Sequence, residues 1–158
     1  MVAGQKVSQR GKQVTHPAIQ ETIEAFGETT LICDAARIVE LCRHLKDAEK
    51  YIRLSAVTAV DWHPAEPRFE VVYHLHSVER NQRLRLKCRL SGGNPEIDSV
   101  CAVWSGANWY EREVYDMFGI TFRNHPNLVR ILNPTDWDGF PLRKDYPVHG
   151  YKYGYGNE

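Results

Sequence analysis

The chain has four cysteines, Cys33, Cys42, Cys88 and Cys101, and none belongs to a Cys-x-x-Cys pair. Iron–sulfur and zinc sites usually draw ligands from such close spacings, so neither is expected. Each cysteine lies in an apolar segment, which predicts buried free thiols over disulfides and fits a reducing compartment. No apolar run approaches the ~18 residues needed to cross a bilayer, and the first residues lack the hydrophobic core of a signal peptide. Charge of one sign is not in excess: Lys+Arg and Asp+Glu both number 20. That balance argues against bulk nucleic-acid binding, which usually needs a basic surplus. Gly-x-Gly-x-x-Gly, the P-loop, Gly-x-Ser-x-Gly and His-Glu-x-x-His are all missing, and no internal repeat occurs. With them go the nucleotide, flavin and nucleophile sites that those motifs build.

What remains is an ordinary globular composition, 42% hydrophobic and 25% charged over 158 residues, enough for one domain with one core. Residues 1–16 read as a disordered lead. Pro17 to Phe26 predicts a short helix with Gly27 as its C-cap. Thr29 to Cys33 predicts a strand, and Asp34 caps a helix through about Lys46 whose apolar positions are Ile38, Leu41, Cys42 and Leu45. Three strands follow: Ile52 to Trp62, Phe69 to His76 and Gln82 to Leu90. The last two pair as a hairpin if Glu79 and Arg80 are central in the turn. Phe69 then faces Leu90, Val71 faces Cys88, Tyr73 faces Leu86 and Leu75 faces Leu84, so inward residues meet inward residues. Glu79-Arg80 is poor two-residue turn chemistry, so a longer loop of the same parity fits as well. Asp98 or Ser99 predicts a cap for a short helix through Trp104, and Asn108 a cap for a second helix to Phe118, ended by Gly119. Beyond it Pro126, Pro134, Pro141 and Pro147 forbid long helices. The expected fold is α+β, with helices packed on one face of a mainly antiparallel sheet. Residues 17–118 form the domain, and 119–158 an extended C-terminal interaction arm with too little local structure to be ordered alone.

The densest chemistry lies between Trp109 and Pro147, where charges of both signs sit among aromatics. Glu111 and Glu113 resemble a carboxylate pair, yet residues two apart on a helix point about 200° away from each other. They cannot share one metal or flank one bond. Glu113 and Asp116 do share a face, with Arg112 beside Asp116 at the i, i+4 spacing, and Arg130 or Arg143 can join from the arm. An ion-pair cluster is the expected role. Tyr110, Val114, Met117 and Phe118 make a helical stripe for the core. His74 and His76 stand two apart on one strand face, a spacing that can chelate zinc. Glu70 lies further along that face, but no third histidine or cysteine is obvious, and Arg83 and Arg85 opposite would repel a cation. Arg83, Arg85, Lys87 and Arg89 form a basic stripe, read as a solvated face, a face for an acidic protein, or a surface for RNA or lipid headgroups. The aromatics Phe69 and Tyr73 point to the other face, which weighs against stacking of RNA bases. His125, before Pro126, is a candidate hydrogen-bonding anchor. The residues alone thus point to a partner-dependent, non-catalytic domain.

The blocks Glu111-Arg112-Glu113-Val114-Tyr115-Asp116-Met117-Phe118-Gly119-Ile120, His125-Pro126, Arg130-Ile131-Leu132 and Gly139-Phe140-Pro141-Leu142-Arg143-Lys144-Asp145-Tyr146-Pro147 resemble the 30 kDa subunit family of NADH–quinone oxidoreductase, respiratory complex I. Ala59-Val60-Asp61 and Phe69 to Leu75 resemble that family's sheet, so the likeness covers about residues 28–148. Val129 stands where the family usually has a basic residue, and Phe140 where histidine is common. The resemblance implies a structural subunit of the peripheral arm, on the cytoplasmic face of the inner membrane. Its complex passes electrons from NADH through FMN and iron–sulfur clusters in partner subunits to quinone, coupled to ion translocation. It implies no cofactor, metal or catalytic residue in this chain, a hetero-oligomer docked on the large quinone-site subunit, and no nucleic acid. Membrane contact would come only through the complex. Glu111, Arg112, Glu113, Asp116, His125, Arg130, Arg143, Lys144 and Asp145 would serve contacts between subunits. The alternatives are the equivalent subunit of a membrane-bound hydrogenase or other quinone-linked dehydrogenase and, from a different class, a small RNA-binding domain on the Arg83–Arg89 stripe.

Overall fold

A computed structural model describes residues 14–150. Most of the expected lead and the Tyr/Gly tail lie outside the described residues. Residues 14–16 rest on the domain: Val14 packs against the core, and the His16 ring stacks 5.2 Å from His44.

The first element corrects the expectation of a helix. Ile19–Ala25 is a strand, β1, paired antiparallel with β2, Glu28–Cys33. Phe26 (φ 54°) and Gly27 (φ 77°) are the two loop residues between paired Ala25 and Glu28. A two-residue loop with both φ positive matches the right-handed twist of the strands. Gly27 therefore closes a hairpin, not a helix. Asp34 caps as expected, accepting the Ala36 N–H at 3.0 Å, but opens a 3-10 turn (Ala35–Arg37) that leads into α1, Ile38–Asp47. The stripe Ile38, Leu41, Cys42 and Leu45 is fully buried.

Strands β3 (Arg53–Asp61), β4 (Phe69–Ser77) and β5 (Gln82–Leu90) follow. The β4–β5 register matches the expected one pair for pair, from Phe69–Leu90 to Leu75–Leu84. Pairing runs on to Ser77–Gln82, so the turn is the longer loop 78–81, with Asn81 at φ 49°. The five-stranded sheet has the order β1-β2-β5-β4-β3, antiparallel except between β2 and β5. Its inward residues join α1 and the later helix Ala107–Phe118, α2, in a single core.

The expected helix from Asp98 or Ser99 to Trp104 does not form. Glu96–Asp98 is instead β6, followed by one turn in which the Val103 and Trp104 N–H groups both donate to the Val100 carbonyl. α2 spans Ala107–Phe118 with Gly106, not Asn108, at its N-cap, where no side chain caps it. Gly119 ends it at φ 70°, donating its N–H to Tyr115 O. A Cβ there would lie 2.5 Å from the Phe140 ring, so the position needs glycine for space as well as for φ. β7, Thr121–Arg123, pairs parallel with β6 and seats the start of the arm in the domain.

Candidate functional site

Two buried carboxylates, Asp116 and Asp61, hold the C-terminal arm to the domain, and a third, Glu111, lies beside the arm's start. The first, Asp116, sits in the last turn of α2 with no exposed surface. Its Oδ1 accepts from Arg130 Nη1 at 2.7 Å and Asn133 Nδ2 at 2.9 Å. Its Oδ2 accepts three successive backbone N–H groups, from Ile131 (3.0 Å), Leu132 (2.8 Å) and Asn133 (2.8 Å). A run of backbone N–H groups converging on one anion is a nest. Burial opposes ionisation here, but these donors outweigh it and hold the carboxyl well below the usual carboxylate range. Arg130 also donates to the carbonyls of Asp116 and Gly139 and lies over the Phe140 ring at 5.2 Å.

The second is Asp61, at the end of β3. Its Oδ1 accepts from His63 N–H and Arg68 Nε, each at 2.9 Å, and its Oδ2 from Arg68 Nη2 (2.8 Å) and the Lys144 N–H (2.9 Å). Arg68 reaches on to Asp145 with a second fork at 2.9 and 2.7 Å. Burial again opposes ionisation of Asp61, and the Arg68 fork and backbone donors override it. One guanidinium thus bridges sheet and arm.

The third is Glu111, fully buried on α2. It accepts from Ser99 Oγ at 2.6 Å and Val100 N–H at 2.8 Å, with Cys101 Sγ at 3.4 Å. Burial raises its pKa, against the pull of these donors. His125 Nε2 lies 3.9 Å away. Cys101, Glu111 and His125 are the one group among the described residues spaced to share a metal ion, within 4.8 Å of one another. Hydrogen bonds already engage all three. His125 Nδ1 accepts the Asn127 N–H at 3.0 Å, so the ring proton sits on Nε2, which faces Asn108 O at 3.3 Å. Burial pushes the Cys101 thiol up to about 11, so it too keeps its proton. The cluster is a hydrogen-bonded tie between β6, α2 and the arm, with His125 as its anchor.

Not every expected residue takes the expected partner. Arg112 forms no pair with Asp116, which already has five donors. It turns instead to the Val129 and Arg130 carbonyls (3.0 and 3.1 Å) and stacks over Trp109 at 5.3 Å. Glu113 is exposed and joins no tie among the described residues. Arg143 donates to Phe118 O at 2.6 Å and lies between Phe69 (5.2 Å) and Phe140 (4.6 Å). Lys144 acts through its backbone. Phe140 fills its place in the motif by stacking on two guanidinium groups, and Val129 offers only its carbonyl. Over residues 119–150 the arm rests on the domain: β7 pairs with β6 at its start, and beyond residue 123 the domain's carboxylates receive its donors. Sequence reasoning does not single out Arg68 and Asp61. The one available signal is an acid at the inward position after Val57 and Ala59 on β3. The four cysteines are free, three of them buried in the core and Cys101 half-buried.

Known proteins resemble this chain in sequence and in fold. Residues 31–152 match the family model described as respiratory-chain NADH dehydrogenase, 30 Kd subunit. The C subunit of NADH-quinone oxidoreductase from Geotalea uraniireducens is 50% identical over 133 residues, which cover 84% of this chain and 81% of that protein. The protein of the same name from Geobacter sulfurreducens is 48% identical over 134 residues, covering 84% and 83%. Among solved structures, the trypsin-resistant fragment (1-134) of Nqo5 superposes with a TM-score of 0.62 at 31% identity, covering 66% of this chain and 86% of that one. A chain of the membrane-bound sulfane sulfur reductase, an archaeal respiratory membrane complex, gives a TM-score of 0.72 at 28% identity, covering 84% and 79%.

Proposed function

The chain belongs to the 30 kDa subunit family of respiratory-chain NADH dehydrogenase, and from that premise we propose that it is a non-catalytic structural subunit in the peripheral arm of an NADH–quinone oxidoreductase. The observation that carries this reading is 50% identity spread over four-fifths of the Geotalea relative, with 84% of this chain included. The geometry supports the non-catalytic part. The charged groups of the motif from Glu111 to Asp145 are engaged in ties within the chain, Glu113, Asp138 and the Lys144 amine apart, and the buried acids face donors and not a cavity. The complex would carry FMN, iron–sulfur clusters and quinone in partner subunits. This chain would dock on the large quinone-site subunit, at the cytoplasmic face of the inner membrane. No helix among the described residues is long and apolar enough to cross a membrane, which suits attachment through partners. The likeness to a chain of an archaeal sulfane sulfur reductase complex keeps one second reading: the same scaffold serving a complex with another electron donor or acceptor.

The test is retention of partners by the tagged chain drawn from mild-detergent membranes, read by mass spectrometry. Iron–sulfur subunits, a quinone-site subunit and an NADH-binding flavoprotein are expected. Nickel-site subunits in place of the flavoprotein would move the chain to the hydrogenase branch. Recovery of the chain alone would overturn the subunit reading.

A further inference from the structure

The face of the five-stranded sheet opposite the helices carries a groove of about 460 Å³. Its floor is built from two cross-strand rows. Arg53 on β3, His76 on β4 and Arg83 on β5 stand side by side, as do Ala56, His74 and Arg85 in the next row. Acids nearby are already engaged. Glu70 lies 2.8 Å from Lys87 Nζ and 3.8 Å from Arg89 Nε, and Glu28 pairs with Arg85. Arg53 and Arg83 have no acidic partner among the described residues. Two unpaired guanidinium groups therefore flank His76 at the mouth of a groove that no described element of this chain covers.

We propose that this groove docks an extended, acidic segment of another polypeptide of the complex, with carboxylates pairing to Arg53 and Arg83. The inference rests on the subunit reading for the class of occupant. Its chemistry comes from the row itself. A guanidinium fork matches a carboxylate with two parallel hydrogen bonds, a geometry that a lysine cannot give. Arg53 and Arg83 stand two strand spacings apart, about 10 Å, while alternate side chains of an extended peptide lie about 7 Å apart on one face. The long arginine stems close the difference. Single-stranded RNA is a poorer occupant, because Phe69 and Tyr73 are fully buried on the other face and no aromatic platform lines the groove. A planar membrane is poorer still, because the acid Glu28 lines the same groove.

The first assay titrates a fluorescein-labelled decapeptide of alternating Glu and Ser into the full chain, beside its Gln/Ser counterpart. The Glu peptide should bind at about 50 mM salt and weaken as salt rises, and the Gln peptide should not bind. Arg53→Ala with Arg83→Ala should weaken it about tenfold or more, and Arg89→Ala should leave it unchanged. Failure of the Glu peptide to bind, or equal binding by the double variant, would overturn the proposal. So would Arg53- and Arg83-dependent capture of the chain by phosphatidylglycerol vesicles or an RNA 12-mer in preference to the peptide. The second assay puts Arg53→Glu with Arg83→Glu into the membrane pull-down. Loss of a sister subunit by a variant with the circular dichroism of the wild type supports the proposal. If the wild type and the variant retain the same partners, the docking inference fails while the subunit reading stands. If the wild type retains none, the subunit reading fails, and with it the choice of a sister subunit as occupant.

Discussion

Asp116→Asn tests the clasp at its most connected point, because it keeps the shape of the side chain and removes the charge. The asparagine oxygen can still accept from the N–H groups of Ile131, Leu132 and Asn133. Its amide then points at Arg130 Nη1 and Asn133 Nδ2, which are also donors. Breaking a buried ion pair from one side costs about 3–5 kcal/mol. Arg130 keeps two carbonyl acceptors and the face of Phe140, so the loss should fall near the lower end, about 3 kcal/mol. The five lost or weakened bonds are not added separately, because they share one carboxylate and act as a network. At 1.4 kcal/mol per decade, about 3 kcal/mol is roughly a hundredfold. The loss should be local, since the arm has no helix or strand between residues 124 and 150 to spread it. Amide exchange of residues 131–133 should therefore speed up by about two decades, while the β4 and β5 amides stay as in the wild type. The carboxyl is held below its ordinary range, so the tie is fully present at every pH above about 4 and is lost only as pH falls through and below that value. The Asn variant should lose this acid sensitivity. Unchanged exchange at 131–133 would refute the role of Asp116, and an equal loss across the sheet would refute its locality.

Three further outcomes follow, two from the other ties and one from the β1–β2 hairpin. Arg68→Ala strands Asp61, which is 4% exposed, and should cost about 3–5 kcal/mol in urea unfolding; Asp145→Asn removes only the half-exposed end of the same bridge and should cost within about 1 kcal/mol. Equal midpoints for the two variants would count against the bridge as drawn. Glu111 ionises above its ordinary range because it is buried, so it opposes folding increasingly as pH rises from the unfolded pKa, about 4.3, through the folded one. Glu111→Gln should remove that fall in stability, at a cost of about 1 kcal/mol in hydrogen bonding, since the Ser99 hydroxyl can accept as well as donate; an unchanged pH profile in urea titrations would exclude it. Phe26 is fully exposed at φ 54°, where asparagine is the favoured residue. Phe26→Asn should raise stability by about 1 kcal/mol, and a lower thermal midpoint would contradict the hairpin.

The β4–β5 hairpin is legible in the sequence because period-2 alternation over nine residues admits one register, and any slip by one would turn Leu84, Leu86 and Cys88 outward. The β1–β2 hairpin is not. Phe26-Gly27 lacks the Asn or Asp that marks such turns, and β1 is an edge strand with little burial to impose a pattern. Of the candidate residues, those on α2 and in the arm stand out as a set, but their pairing does not. Helical spacing places Arg112 beside Asp116, yet spacing takes no account of the donors that the arm brings from residues 130–133. Arg68 and Asp145 are 77 positions apart, and no local pattern links them. The readable trace is an acid on a core-facing position: Asp61 after Val57 and Ala59 on β3, and Glu111 in line with Ala107, Val114 and Phe118 on α2. A carboxylate there must be met by donors from elsewhere in the chain.

That requirement explains how an arm rich in proline comes to be ordered. From residue 124 to 150 it has no helix or strand, and such a segment must satisfy its backbone groups one at a time. Here buried acids at the ends of β3 and α2 accept them from residues 131–133 and 144, while Arg112, Arg130 and Arg143 donate to carbonyls. The domain supplies the acceptors and the arm supplies both a cation and a stretch of N–H groups, so neither half is satisfied without the other. The docked arm leaves Val129, Leu132, Leu142 and Val148 exposed, as Trp109 is on α2. For one member of a larger complex this arrangement favours assembly. Ordering a loose arm on contact would take free energy out of binding, whereas an arm already fixed by its own domain meets its partner with that cost met during folding. On this reasoning the clasp variants should weaken assembly by lowering the fraction of chains with the arm in place. Wild-type protein added in excess should compete them out of the complex, while a single exposed contact such as Leu142→Ala should leave the clasp's amide protection intact. Loss of protection at residues 131–133 in that variant would show that the exposed apolar groups, not the carboxylates, fix the arm.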